Sequence, residues 1–107
     1  MTLDGVFGAL ADPTRRALLT TLLEQGAATA TDLAQPLPIT RQAVVKHLQV
    51  LAHADLARCS RQGREVRWSA HPAPLGDAAE WLVRTGADWD RRLGRLQEAV
   101  SGGSTSA

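Results

Sequence analysis

The segment from Thr40 to Leu51 has two unlike faces that repeat with the period of an α-helix. At about 100° per residue, Val44, Leu48 and Leu51 fall on one narrow apolar stripe. Lysine and glutamine side chains lie opposite that stripe. The segment therefore constrains the fold strongly, because it must be a helix that is buried along one face and solvated along the other.

The residues before this helix predict a short helix and a tight turn. Pro36 and Pro38 end the short helix, because proline lacks a backbone donor and disfavours a helical residue before it. Leu37 and Ile39 are predicted to fill the corner between the two helices. Thr40 then caps a helix that runs to about residue 54, which completes a helix-turn-helix pattern.

Two strands are predicted after this helix, from Leu56 to Arg61 and from Arg64 to Ala70. Gln62 and Gly63 form the turn between them. The alternation of side chains places Cys59 on the inward face of its strand, so we expect this thiol to be buried. A basic hairpin directly after such a helix is typical of a winged helix-turn-helix.

Two further helices are predicted near the N-terminus, from about residue 4 to residue 11 and from Asp12 to about residue 25. Asp12 and Pro13 form a strong start signal for the second, and Gly26 allows its C-terminal end. The residues expected to face inward from the second helix are Ala17, Leu18 and Leu22, with either Leu19 or Leu23.

The last predicted helix covers about residues 75–100 and carries apolar residues with a seven-residue repeat. The two series of the repeat are Leu75, Leu82, Trp89 and Leu96, and Ala79, Gly86, Leu93 and Val100. Such spacing is typical of a helix that pairs with another helix. We expect part of this stripe to pack within the chain and part to meet a second subunit.

The net charge of +1 conceals a concentration of basic residues in the middle of the chain. Residues 38–70 contain six basic and two acidic side chains, whereas the segments on either side are slightly acidic. An anionic partner, DNA above all, would explain this asymmetry. The polar face of the helix fits the same partner: Gln42, Lys46 and Gln49 can bond to base edges and phosphates, and Ala43 allows close approach to a thymine methyl.

The composition narrows the class of protein. A length of 107 residues indicates one domain, assigned to residues 1–100, with a disordered serine- and glycine-rich tail at residues 101–107. There is no apolar run of membrane-spanning length and no signal peptide, and the single cysteine suits a reducing cytoplasm. The sequence lacks the motifs that would indicate an enzyme: it has no Gly-rich phosphate loop, no His-Glu-x-x-His and no Gly-x-Ser-x-Gly.

With these elements in place, the chain resembles the ArsR (ArsR/SmtB-type) family of bacterial repressors over about residues 5–97. The motifs that carry the resemblance are residues 10–19 (LADPTRRALL) and residues 41–51 (RQAVVKHLQVL). The resemblance implies a mainly α fold with a small β-hairpin, a winged helix-turn-helix of four helices, two strands and a final helix. It also implies a homodimer that binds double-stranded DNA, usually as a repressor at an inverted-repeat operator.

The resemblance assigns roles to individual residues. Its DNA-facing positions are Thr40, Arg41, Gln42, Ala43, Val45 and Lys46, with Arg61 and Arg64 at the tip of the wing. Gln49 is added from the polar face of the helix. Dimerisation through the first and last helices implicates Val6, Phe7, Leu75, Leu82, Trp89, Leu93 and Leu96. Val45 departs from the family pattern, which has a small hydroxyl residue there.

Metal-sensing members of that family carry Cys-x-Cys or paired Asp and His ligands that this chain lacks. His47, His53, His71 and Cys59 are not spaced to supply three or four donors, so we expect no metal and no cofactor. The chain is more similar to the autorepressor-like members of the family that sense no metal. A small-molecule effector is open, and Trp81 and Trp89 could line its pocket or simply pack at the dimer seam.

Several alternatives are open from the sequence alone. Cys59 could make the same module a thiol-responsive redox sensor, or the heptad helix could hold a protein partner in a module that never binds DNA. Arg15 and Arg16 can contact phosphates, lie on a solvated face, or form ion pairs with Asp12 or Glu24. A structural role is expected for His47 in preference to base reading.

Overall fold

The computed structural model describes residues 2–105, and their backbone forms five helices and three short strands. The elements in chain order are α1 (Leu3–Leu10), α2 (Pro13–Gln25), β1 (Ala28–Thr29), α3 (Ala30–Ala34), α4 (Arg41–His53), β2 (Ala57–Gln62), β3 (Glu65–Ala70) and α5 (Ala73–Thr105). This order confirms the predicted winged helix-turn-helix. No helix within the described residues is both long enough and apolar enough to span a membrane.

The ends of helix α2 follow the predicted signals. The carboxylate of Asp12 accepts hydrogen bonds from the backbone amides of Thr14 at 2.8 Å and Arg15 at 3.1 Å, and Pro13 occupies the first turn. Gly26 ends the helix with a φ of +81°, a conformation that costs little for glycine. Local interactions within four residues therefore define this helix.

The core lies where α2, α3 and α4 meet. The predicted stripe of α4 is confirmed, because Val44, Leu48 and Leu51 are fully buried. Burial of a leucine side chain contributes roughly 1.5–3 kcal/mol, so this stripe is a main source of stability. On α2, Leu19 is buried and Leu23 is exposed, whereas the expectation that Ala17 faces inward is wrong. The remaining large buried side chains of the core are Leu18, Leu22, Leu33 and Leu56.

The turn between α3 and α4 contains the two prolines that end α3. Leu37 and Ile39 are half-buried and pack against the core, which confirms that they fill the corner between the helices. At the other end of the turn, the hydroxyl of Thr40 accepts a hydrogen bond from the amide of Ala43 at 3.1 Å. Thr40 is therefore the N-cap of α4, as predicted.

A third strand, which the sequence does not reveal, joins the hairpin to the helices. Strand β1 is only two residues long and pairs antiparallel with β3, so that Ala28 lies opposite Trp68 and Thr29 opposite Arg67. The strand order is β1-β3-β2. The base of the hairpin is thereby attached to the segment between α2 and α3.

The hairpin turn lies one residue later than predicted. Gln62 pairs with Glu65, so the two-residue loop is Gly63-Arg64. Gly63 has a φ of +63° and Arg64 does not have a positive φ, which is the sign pattern of a type II′ turn. This turn suits the right-handed twist of the flanking strands.

The expectation that Cys59 is buried is wrong. Cys59 pairs with Trp68 across the sheet, yet its side chain is exposed, as are all residues of β2 after Ala57. Side-chain alternation predicts burial only where a strand has a core on one face. The core covers this part of the sheet at the central strand β3, where Trp68 is 7% exposed, and does not reach Cys59 on the edge strand β2.

Helix α5 extends far beyond the body of the molecule. Pro74 and Ala78 are buried in its first two turns, but residues 79–93 are all exposed. The chain is consequently elongated, with extents of 77 × 27 × 21 Å. The predicted disordered tail starts at residue 101, but the helix includes residues 101–105, because each residue added to an existing helix needs no new nucleation. Residues 106 and 107 of that predicted tail lie outside the described residues.

Candidate nucleic-acid interface

Helix α4 presents a polar face opposite its buried stripe. Arg41, Gln42, Lys46 and Gln49 are exposed along this face. The hydroxyl of Thr40 caps the helix, so the first turn needs no other element packed over it to satisfy that backbone amide. The structure thus brings together, on one accessible helix face, long side chains that can donate hydrogen bonds to base edges or phosphates.

Two apolar residues border this face and differ in how much of their side-chain surface is free to contact DNA. Ala43 is half-buried at the edge of the polar face. Val45 is also half-buried and packs against the core of the domain. Part of the Val45 side chain is therefore already engaged within the chain, which leaves a smaller surface for contact with a thymine methyl.

The hairpin, which we call the wing (residues 57–70), adds a second set of cations. Arg61 and Arg64 are exposed at and beside its tip. Arg58 and Arg67 are instead paired, with Asp55 at 3.7 Å and Glu65 at 3.0 Å. Among the side chains that the structure describes, four exposed cations of this region are in no ion pair: Arg41, Lys46, Arg61 and Arg64.

A groove of about 410 Å³ joins the helix to the wing. Arg41, at the start of α4, lines one wall, and Arg64, at the tip of the wing, lines the other. Asp32 and Glu65 also line the groove, so its lining holds two acidic and two basic side chains. Arg41 and Arg64, two of the four unpaired cations, thus line one groove between α4 and the wing, an arrangement suited to contact a phosphate backbone.

Comparisons with known proteins identify the domain and its relatives. A family model described as a helix-turn-helix domain matches residues 10–60. The solved ArsR-like transcriptional regulator from Rhodococcus sp. RHA1 is 43% identical, with a TM-score of 0.76 over 90% of each chain. The transcriptional repressor SdpR of Bacillus subtilis (strain 168) is 33% identical over 76% of this chain and 89% of its own length.

This chain belongs to the ArsR family. A second solved ArsR family transcriptional regulator is 35% identical, with a TM-score of 0.74 over 82% of this chain and 90% of that chain. The protein is accordingly a DNA-binding transcriptional regulator with a winged helix-turn-helix. The alternative of a module that never binds DNA is thereby set aside.

In the ArsR-type motif at residues 10–19, charged side chains form hydrogen bonds with the backbone at the ends of two helices. Arg15 donates from Nε to the carbonyl oxygen of Ala9 at 2.7 Å and from Nη2 to that of Gly8 at 3.1 Å. Arg16 donates to the carbonyl oxygen of Leu10 at 2.7 Å. These acceptors are among the last carbonyls of α1, where partners within the helix run out, and only that of Gly8 also accepts from a backbone amide, that of Ala11 at 3.3 Å. The two arginines thus satisfy α1 while their backbone belongs to α2.

Asp12 completes this junction between α1 and α2. The backbone amide of Arg15, above all, and that of Thr14 donate hydrogen bonds that hold the pKa of the Asp12 carboxyl below its ordinary value of 3.8. Nearby His47 and the Arg15 guanidinium, 3.9 Å away, favour the charged carboxylate as well. Arg15 thus forms the ion pair with Asp12 that the sequence offers as one alternative.

The three histidines take part in separate contacts. His47 lies half-buried on α4 with its Nδ1 3.5 Å from Nη1 of Arg15. His53 and His71 approach the backbone carbonyl oxygens of Gln49 at 2.9 Å and Asp55 at 2.8 Å. Within the described part of the chain, no group of three His, Cys, Asp or Glu side chains is arranged to hold a metal ion.

The residues predicted for a dimer interface separate into two groups. Leu82, Trp89, Leu93 and Leu96 are between 38% and 62% exposed along α5. Phe7 is half-buried and meets Trp81 of α5 edge-on, with ring centroids 5.6 Å apart, and Leu75 is half-buried against the core. Val6 is 1% exposed in the chain's own core, which corrects its assignment to an interface.

Proposed function

We propose that this ArsR-family chain represses transcription as a homodimer that binds an inverted-repeat operator. The observation that carries the proposal is the exposed polar face of α4 beside the unpaired arginines of the wing, with Arg41 and Arg64 lining the groove between them. Every cation of this surface is exposed, so a phosphate can approach it without displacing an internal ion pair. A regulator of this kind acts on DNA in the cytoplasm.

Helix α4 is the proposed recognition helix in the major groove. Gln42 and Gln49 have amide groups that can pair with adenine, and Lys46 can donate to guanine or to a phosphate. Thr40 and Arg41 lie at the end of the helix where the backbone of DNA would pass. Ala43 and Val45 provide the apolar border for a thymine methyl, with Ala43 making the closer approach.

The wing is proposed to hold the backbone beside the major groove. Arg61 and Arg64 would each neutralise a phosphate and release its condensed counterion. Such contacts position the protein on DNA without reading its sequence. The specificity of the complex is therefore expected to reside in α4, and much of the affinity in the wing.

The exposed apolar face of α5 is the proposed dimer interface. It carries Leu82, Trp89, Leu93 and Leu96 at intervals of seven, four and three residues, the spacing of paired helices. Two copies joined there would present two recognition helices to successive major grooves, about 34–36 Å apart on DNA. An operator with inverted symmetry follows from the symmetry of such a dimer.

The proposal is tested by selecting an operator from a random DNA pool and measuring the salt dependence of binding. The variants Lys46→Ala and Arg61→Ala/Arg64→Ala should weaken binding and lower the slope of log K against log salt by about 0.9 for each phosphate that is no longer neutralised. Arg84→Ala, which removes an exposed cation of α5, is the matched control and should leave the slope unchanged.

The Lys46 variant and the wing variant should differ in how they bind DNA of unrelated sequence. The loss of the wing arginines should weaken binding to all DNA to a similar degree. The Lys46 variant should change the preferred sequence if its amine reaches a base. Salt slopes that are the same for all three variants and for the unaltered chain would show that the surface has been assigned wrongly.

A further inference from the structure

Arg15 connects three helices through one side chain. Its backbone lies in α2, two of its nitrogens donate to the last carbonyl oxygens of α1, and Nη1 lies 3.5 Å from Nδ1 of His47 on α4. The side chain is 17% exposed. A guanidinium that is engaged on this many sides is in no position to turn toward a phosphate of DNA.

The contact with His47 predicts which nitrogen of that imidazole carries the proton. An arginine guanidinium can only donate, so Nδ1 of His47 must accept and the proton of the neutral ring lies on Nε2. The opposite holds for His53 and His71, whose Nδ1 atoms face backbone carbonyl oxygens and must donate. The three rings of one chain therefore provide an internal comparison.

The connection continues from α1 to the long helix. Phe7, on α1, packs edge-on against Trp81 of α5 with ring centroids 5.6 Å apart. Helix α5 carries the exposed apolar face beyond this contact. Arg15 and His47 thus link the helix that would enter the major groove to the pair of helices that lie nearest the proposed dimer interface.

We infer that Arg15 is a positioning residue, which holds α4 at a defined angle to α1 through His47 and so sets the separation of the two recognition helices in the dimer. This inference rests on the proposed function. A helix pair with a defined separation selects one spacing between operator half-sites. A looser junction between α1 and α4 lets each helix still meet its half-site but tolerates more than one spacing.

The first test needs no DNA and reads the imidazole directly. The ¹⁵N chemical shifts of the histidine rings, measured above pH 8, should show the proton on Nε2 in His47 and on Nδ1 in His53 and His71. In Arg15→Gln the His47 signals should move toward a mixture of the two forms, while those of His53 and His71 stay unchanged. A proton on Nδ1 of His47 in the unaltered chain contradicts the inference.

The second test measures binding to operators whose half-sites are moved one base pair closer or farther apart. Arg15→Gln should bind the selected operator about tenfold more weakly, a loss of the size that one mismatched base pair produces, and should prefer the selected spacing less strongly. Binding to DNA of unrelated sequence and the salt slope should be unchanged. Arg15→Lys, which keeps one donor and the charge, should restore part of the preference.

Arg16→Gln is the matched control, because it removes the same charge from the neighbouring position and also a hydrogen bond to α1. Among the described residues Arg16 forms no hydrogen bond to α4, so this variant should keep the spacing preference. All variants are compared at a temperature where circular dichroism shows them folded.

The outcomes separate the inference from the proposed function. If Arg15→Gln loses specific and unspecific binding equally, or if its salt slope falls, Arg15 acts through stability or through a phosphate and the inference is overturned. If the unaltered chain binds no DNA, the proposed function and the inference both fail. Normal operator binding by the unaltered chain together with an unchanged spacing preference in Arg15→Gln overturns the inference alone.

Discussion

Single residues at the junction of α1 and α2 show how one short motif satisfies two helix ends. Asp12 accepts from the first amides of α2, and Arg15 and Arg16 donate to the last carbonyls of α1. Each side chain therefore replaces a hydrogen bond that the helices cannot make for themselves. The charged side chains of this motif therefore have partners in the backbone of α1 and α2, and no contact with DNA is needed to explain why they are there.

The charge of Asp12 makes stability depend on pH in the acid range. Because its pKa is lowered in the folded chain, the stabilisation is present above 3.8, the ordinary value, and is lost as the pH falls through the folded value. Asp12→Asn keeps the cap but cannot titrate, so its melting temperature should fall less between about pH 7 and pH 2.5. Differential scanning calorimetry at several pH values measures this.

The matched control for this prediction is Asp77→Asn, which alters an exposed carboxyl at the start of α5. It should follow the acid limb of the unaltered chain closely. An acid limb of Asp12→Asn that is as steep as that of the control would mean that the cap carries no charge-dependent stability.

At the scale of the elements, the wing and α5 use glycine in opposite ways. Gly63 has a φ of +63° in the turn of the wing, whereas Gly76 lies in the helical conformation near the start of α5 with open space around its Cα. A side chain is strained at the first position and favoured at the second.

Gly63→Ala should therefore lower the free energy of unfolding by about 1 kcal/mol, and Gly76→Ala should raise it by roughly 0.5–1 kcal/mol. Urea denaturation at neutral pH measures both, and each variant serves as the control for the other. If the two variants had equal midpoints of urea denaturation, the turn assigned to Gly63 would be wrong. Since Gly63 lies between the wing arginines, its variant should also bind DNA more weakly than Gly76→Ala.

For the molecule as a whole, the face of α5 is the main apolar surface that a single chain leaves exposed. Leu82→Lys places a charge in the proposed interface, where burial of an unpaired ammonium costs several kcal/mol. We expect this variant to sediment as a monomer at micromolar concentration and to lose affinity for an inverted repeat while keeping its fold.

The adjacent variant Val83→Lys is the control for this experiment, because Val83 is 71% exposed on the same helix but lies outside the heptad positions. It should sediment as the dimer does. If the unaltered chain is itself monomeric at these concentrations, or if both variants behave alike, the seven-residue repeat does not mark the interface.

Local patterns in the chain were enough to predict the helices, their caps and the polar face of α4. Asp12, Thr40 and Gly26 act on backbone groups within four residues, and the stripe of α4 repeats within one helix, so the pattern contains all the partners involved. The family motifs at residues 10–19 and 41–51 are similarly continuous in the chain. The winged helix-turn-helix was predictable for that reason.

Contacts between residues far apart in the chain were decided only by the tertiary structure. Strand β1 exists because Ala28 meets Trp68, and the link from Arg15 to His47 joins residues on different helices. Cys59 is exposed because it lies on the edge strand β2, whereas its partner Trp68 on the central strand β3 is buried, and side-chain alternation does not distinguish the two strands. Whether a periodic residue is buried depends on what packs against it, and that neighbour is set by the fold and not by the period.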